Sequence, residues 1–159
     1  MKEREIIESL REAFPDAALG DDAAVLPGEK GELLVAADAV VEGVHFERSY
    51  STLAQAVQKV ITSNVSDIFA MGGKPDSIIF TAGLPKGFGK GELSEIIEGL
   101  KKGCGVYRLK LAGGDTVLSS GGLFFNMAIL GDVRRGRAVL RRGACEGDTL
   151  VLFGDCGCS

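Results

Sequence analysis

Residues Thr52 to Gly73, TLAQAVQKVITSNVSDIFAMGG, carry the strongest periodic signal in the chain. Leu53, Val57, Val60, Ile61, Val65 and Ile68 recur at i, i+3 and i+4, so a helix over Thr52 to Met71 presents one apolar stripe to a core. Gly72-Gly73 ends it, because glycine closes a helix in the left-handed conformation at little cost. Near that end lie Asn64 and Asp67, about one turn apart. The helix macrodipole disfavours a carboxylate there by a few tenths to ~1 kcal/mol. Asp67 therefore reads either as a solvent-facing residue that tolerates this cost or as a ligand compensated by a cation. Asn64 lies near the same face and is placed to orient it.

Working outward, Ser77 to Leu84 reads as a buried strand closed by Pro85. Glu92 to Lys102 reads as a second helix with Leu93, Ile96, Ile97 and Leu100 facing inward, and Leu109 to Ala112 as a strand running into Gly113-Gly114-Asp115. Gly122 to Val133 alternates, with Leu123, Phe125, Met127, Ile129 and Val133 on one face, the period of a half-buried strand. Thr149 to Phe153 would be the last strand. Upstream, residues 3–13 form an amphipathic helical pattern with Ile6, Ile7, Leu10 and Phe14 on one side. Ala23 to Leu26 is a short strand ended by Pro27-Gly28, and Leu33 to Ala37 a longer one that would deliver Asp38 at its end. Strands separated by two long helices predict an α+β fold, an α/β sandwich with both helices layered on one face of a sheet.

The 159 residues fit one domain with a proper core. Glycine is the compositional outlier: 23 residues, roughly twice the usual ~7% share. Much of it stands beside aspartates, as tight turns near anions require. A net charge of -4 argues against a nucleic-acid surface. The short basic run Arg134-Arg135-Gly136-Arg137, Arg141-Arg142 reads as a solvated hairpin or as one holding an anion-binding arginine. No apolar run approaches the ~20 residues of a membrane span. The charged N-terminus MKEREIIESL lacks a signal-peptide core, so the expectation is a cytoplasmic protein off the membrane. Cys104, Cys145, Cys156 and Cys158 form no CxxC pair and His45 is the single histidine, which disfavours a zinc site and favours free thiols.

Four aspartate-bearing segments follow one another: Gly20-Asp21-Asp22-Ala23-Ala24, Asp38 to Phe46 (DAVVEGVHF), Asn64 to Gly73 and Gly113-Gly114-Asp115-Thr116. Each sets a carboxylate beside small residues, where backbone can approach a phosphate or a hydrated divalent cation. Locally, Asp22 is equally a turn-forming Asx residue, Asp38 a loop cap, His45 a structural histidine, Tyr107 a core-edge residue and Arg141 a hairpin arginine.

The ordered set resembles the N-terminal, ATP-binding domain of the thiamine-monophosphate kinases, within the aminoimidazole-ribonucleotide-synthetase-like superfamily. The likeness runs from the first helix to about Leu152. It implies metal coordination by Asp22, Asp38, Asp67 and Asp115, and nucleotide contact by Tyr107, Gly114, Asp115 and Arg141. It implies a substrate-side role for His45, with Mg²⁺ as cofactor and ATP as a substrate. One departure counts: where the family often has Ser or Thr before the second aspartate, this chain has Ala37, which offers no hydroxyl ligand.

The reaction so implied is phosphoryl transfer from ATP to thiamine monophosphate. The family pairs its sheets across a homodimer into a barrel. It also continues into a second domain, so residues 1–153 are read as the superfamily's N-terminal domain. Residues 154–159 are read as a linker remnant, with the second domain absent and the chain alone inactive. The alternatives are another ATP-dependent member of the superfamily, or a single-domain dimeric nucleotide-binding module without turnover. The ribonucleotide-synthetase and selenophosphate-synthetase signatures are missing, and the Cys-Ser ending departs from the hydrogenase-maturation branch.

Overall fold

A computed structural model describes residues 3–154. Eight elements follow in order: α1 (Glu3–Ala13), β1 (Ala24–Pro27), β2 (Glu32–Val41), α2 (Leu53–Ala70), β3 (Lys74–Pro85), α3 (Lys90–Tyr107), β4 (Lys110–Ser119) and β5 (Phe124–Val133). The five strands form one mixed sheet in the order β1-β2-β5-β3-β4. Only β3 and β4 run parallel. They are the pair joined through α3, the long crossover that parallel neighbours need. The predicted α+β fold is the one observed.

α2 starts and stops where its sequence says. Thr52 is the N-cap: its hydroxyl accepts from Gln55 N–H at 3.2 Å, and Gln55 Oε1 accepts from Thr52 N–H at 2.9 Å. This reciprocal pair satisfies donors that the first turn leaves free. At the other end Gly72 has φ +72°, and Gly73 N–H returns to Ile68 O at 2.9 Å. The predicted stripe of α2, with Leu53, Val57, Val60, Ile61, Val65 and Ile68, is buried. It packs on Leu34, Ala36 and Val40 of β2, Ile78, Phe80 and Ala82 of β3, and the alternating residues of β5. Phe125 stands at the centre, with ring centroids 6.1 Å from Phe46 and 5.6 Å from Phe80.

Several expectations are corrected. α3 is longer than predicted and meets the core through α2, burying Ile96, Gly99 and Gly103. Leu93 and Ile97 lie outside that contact and are exposed. The contact is close: a Cβ on Gly99 would come within 2.7 Å of Ala54 O. β2 runs past Ala37 to Val41, so Asp38 sits inside the strand and not at its end. β4 likewise continues through Gly113-Gly114-Asp115 to Ser119. Thr149 to Phe153 is not a strand; it pairs with nothing in the sheet, and Leu150 to Phe153 are exposed. The apolar side of α1 is also largely uncovered, with Ile6 and Leu10, and Phe14 just beyond, all exposed. Cys156 and Cys158 lie outside the described residues. Cys104 and Cys145 are free thiols.

Candidate functional site

Three of the four predicted carboxylates come together at the C-terminal end of α2. Asp22 arrives from the turn before β1. Asp38 arrives from β2, on the helix-facing side shared with Leu34, Ala36 and Val40. Asp67 projects from the last turn of α2, which contains no basic residue to offset the helix dipole. The consequence is visible in its acidity: Asp67 is pushed up to about 6, first by burial and then by the charges of Asp38 and Asp22, against a smaller opposing pull from Arg141.

Asn64 is the buried polar residue of the core. The sequence suggested that it orients Asp67, one turn on. Instead its Nδ2 donates to Val60 O at 2.8 Å, and its Oδ1 accepts from the backbone N–H of Asp38 at 3.2 Å. Asn126 Nδ2 donates to Asp38 O at 3.3 Å. Asp38 is therefore held at both backbone groups by amide side chains, which fixes where its carboxylate stands. Sequence reasoning missed Asn126, which carries no signal beyond being a polar residue on the other side of alternating β5.

Arg141 closes the cluster. The basic segment is no hairpin: after a turn at Arg134–Arg137 it runs past the end of α2, where Val139 N–H donates to Met71 O at 3.0 Å. Arg141 N–H donates to Asp21 Oδ1 at 2.8 Å, and its Nε to Asp22 Oδ1 at 3.1 Å. Its Nη2 makes a close ion pair with the same Asp22 oxygen. That contact, ahead of the surrounding negative charge, raises the guanidinium further above its ordinary value. Asp21 was passed over in the sequence in favour of Asp22; here it holds the arginine's backbone. Beside these groups opens a cavity of about 630 Å³, lined by Arg11, Gly20, Asp21, Glu32, Arg141 and Arg142 among others. Glu32 also lines it, with its Oε2 buried and without a hydrogen-bond partner.

The structure does not bring Asp115 into this group. Sheet register aligns Ala39, Asn126, Thr81 and Asp115 in one row, next to the row of Asp38, Met127, Phe80 and Gly114. Asp38 and Asp115 are thus three strands apart, ~14 Å by strand spacing, and alternation sends their side chains to opposite faces. Tyr107 ends α3, with its hydroxyl 3.4 Å from Thr62 Oγ1 and its ring edge-on to Phe69. His45 is exposed in the loop after β2. Its Nδ1 accepts from Val41 N–H at 3.2 Å, and its carbonyl accepts from Lys59 Nζ at 2.8 Å. Glu42 fastens that loop to the start of β5 by accepting from Leu123 N–H at 2.8 Å.

No three acidic, histidine or cysteine side chains among the described residues close into a ready-made metal cluster. This still fits magnesium. That ion keeps several waters and reaches protein through one or two carboxylates plus substrate phosphates. The donors are oxygen only, and at Asp67 the negative charges of Asp38 and Asp22 outweigh the pull of Arg141, so an added cation is electrostatically favoured there.

A family model described as AIR synthase related protein, N-terminal domain, matches residues 20–133. Among curated relatives, a thiamine-monophosphate kinase of Bacillus subtilis is 33% identical over 145 residues, 91% of this chain and 45% of the relative. That of Pyrococcus horikoshii is 36% identical over 162 residues, 99% of this chain and 50% of the relative. Among solved structures, AaThiL complexed with AMPPCP and TMP superposes with a TM-score of 0.82 at 29% identity, over 91% of this chain and 47% of that one. A thiamine monophosphate kinase from Aquifex aeolicus gives 0.74 at 28%, over 85% and 45%. The hydrogenase maturation protein HypE of E. coli, at 20% identity and TM-score 0.58 over 89% of this chain and 46% of that one, shares the fold alone. This chain spans about half the length of the curated relatives it matches. It belongs to the family of AIR synthase related proteins and carries that family's N-terminal domain.

Proposed function

We propose that this chain is the MgATP-binding part of a phosphotransferase that converts thiamine monophosphate to thiamine diphosphate. The observation that carries the reading is the convergence of Asp22, Asp38 and Asp67 at the unneutralised end of α2, with Arg141 beside them. Its likeness to a structure holding an ATP analogue and TMP supports the choice of ligands.

Asp22, Asp38 and Asp67 would hold magnesium, which when bound neutralises phosphate charge and links phosphate oxygens. The chain's own part is positioning. Asn64 and Asn126 fix Asp38, Arg141 supplies a guanidinium for phosphate oxygens, and Gly113, with nothing where a Cβ would stand, leaves backbone open to close approach. Asp115 and Tyr107 are assigned to the nucleotide side and His45 to the acceptor. Attack by an oxygen of the acceptor phosphate needs no general base, because that phosphate is already ionised. The protein is read as cytoplasmic, and no helix among the described residues is long and apolar enough to cross a membrane.

A homodimer completes the reading. On the sheet face turned away from α2, Val41, Ile79 and Val117 are exposed, and every residue of β4 but Ser119 is exposed. A second copy laid on this face would cover the apolar surface and the open edge together.

Calorimetric titration with MgATP tests the site. The 159-residue chain should bind, and Asp67→Asn should weaken binding by roughly tenfold or more, the size of a lost charge-assisted contact. Equal affinities would remove Asp67 from the metal site. Thiamine diphosphate formation, assayed directly, should be far below the ~1–100 s⁻¹ usual for kinases, because this chain spans only half of the kinases it resembles. Acceptor-stimulated ADP release with another phosphate compound, and not with thiamine monophosphate, would move the protein to a different branch.

A further inference from the structure

Arg141 does for this acidic cluster what an ion would do. Two of its guanidinium nitrogens converge on one oxygen of Asp22, and Asp21 and Asp67 stand within electrostatic reach of the same guanidinium. No basic residue lies in the last turn of α2 to share the task. A guanidinium seated on Asp22 Oδ1 uses the lone pairs that a divalent cation needs, and two positive charges on one oxygen repel. The two occupants therefore compete for that oxygen.

The tethering is divided in a useful way. The backbone of Arg141 is pinned independently of its side chain, through its own N–H to Asp21 and through Val139 N–H to Met71 O. The side chain is 63% exposed and borders the large cavity. The guanidinium can leave Asp22 without the segment leaving the site.

The geometry points to a cation exchange at Asp22: Arg141 is the resident counter-ion, an incoming divalent cation displaces it, and the freed guanidinium turns to the polyphosphate that accompanies the metal. This rests on the metal reading given above and adds to it an order of events. Metal and triphosphate then bind as a coupled pair, each raising the affinity for the other by the same factor.

The test is Mn²⁺ binding, followed by the electron paramagnetic resonance of the free ion. The parent chain is compared with Arg141→Gln, Arg141→Lys and Arg142→Gln, each without nucleotide and with a non-hydrolysable ATP analogue. Without nucleotide, Arg141→Gln should bind Mn²⁺ more tightly than the parent, by about fivefold, the factor corresponding to a surface ion pair. Arg141→Lys should fall between them, since lysine is a point charge without the guanidinium fork. Arg142→Gln removes the same charge from the neighbouring position and should change little. The factor by which the analogue tightens Mn²⁺ should be smaller in Arg141→Gln than in the parent.

Unchanged or weaker Mn²⁺ binding by Arg141→Gln overturns the exchange and leaves the metal site standing. So does equal tightening by Arg142→Gln, which would reduce the effect to overall charge. Absence of Mn²⁺ binding in every variant, with and without the analogue, overturns the exchange and the metal reading together. Should Arg141→Gln fail to fold by circular dichroism, Arg141→Lys carries the same comparison.

Discussion

Asp67 shows how one side chain records its surroundings. Its proton is held up to about 6 by burial and by Asp38 and Asp22, whereas in the unfolded chain it returns to the ordinary carboxylate range near ~3.9. The folded form therefore binds the proton more tightly than the unfolded form. The associated stability is fully present below about pH 4 and is lost as pH rises through about 6. In metal-free buffer the parent should lose urea resistance across that interval, and Asp67→Asn should lack this component. The same group must shed its proton to meet a cation, so Mn²⁺ affinity should climb between pH 5 and pH 7 in the parent. An identical pH response in Asp67→Asn and parent would show that other acids set the profile. The sequence made Asp67 legible because its place at a helix end is a local fact. It left Arg141 ambiguous because the partner lies 119 residues away, and no local pattern encodes that contact.

At the scale of elements, α2 was legible because a 3.6-residue stripe and a Gly-Gly stop agree, while the Thr-x-x-Gln box at its start emerges from the structure. β5 was legible because alternation is unbroken on its buried face. What failed shares one cause. Ala36-Ala37-Asp38-Ala39 and Ala112-Gly113-Gly114-Asp115 give small side chains with no period, so nothing in them says whether a strand stops before the aspartate or carries on. Both carry on, and in β4 this turns Asp115 away from the other three. The outer face of α3 misled differently: Leu93 and Ile97 are apolar, but the helix meets its neighbour through glycines. That contact makes a prediction. Gly99→Ala gains helix propensity of about 0.8–1 kcal/mol, yet its methyl meets the backbone of Ala54 at 2.7 Å. Overpacking of this kind typically costs ~1–3 kcal/mol. Gly99→Ala should therefore be destabilised in urea, while Gly105→Ala on the same helix, with nothing near its Cβ, should be stabilised.

Taken whole, the molecule is one-sided. Its core lies between the sheet and α2, while the reverse face of the sheet is left to solvent with apolar residues showing. Light scattering at micromolar concentration should give a mass near twice 16.7 kDa; a value at the monomer mass would discard the paired-sheet reading. The one-sidedness also ranks the strands by how readily they let go. β5 is bonded on both sides and buried along alternate residues. β4 has one neighbour, β3, and its side chains are exposed almost throughout. In a chain left unpaired, its amide protons should exchange sooner than those of β5, through openings that leave the rest of the sheet in place. Gly114 and Asp115 ride on that edge strand, while Asp38 is paired with β5 and held through its own N–H by buried Asn64. Deuterium would enter the two halves of the predicted nucleotide site at very different rates, and whatever binds there would be felt chiefly as a slowing of the first.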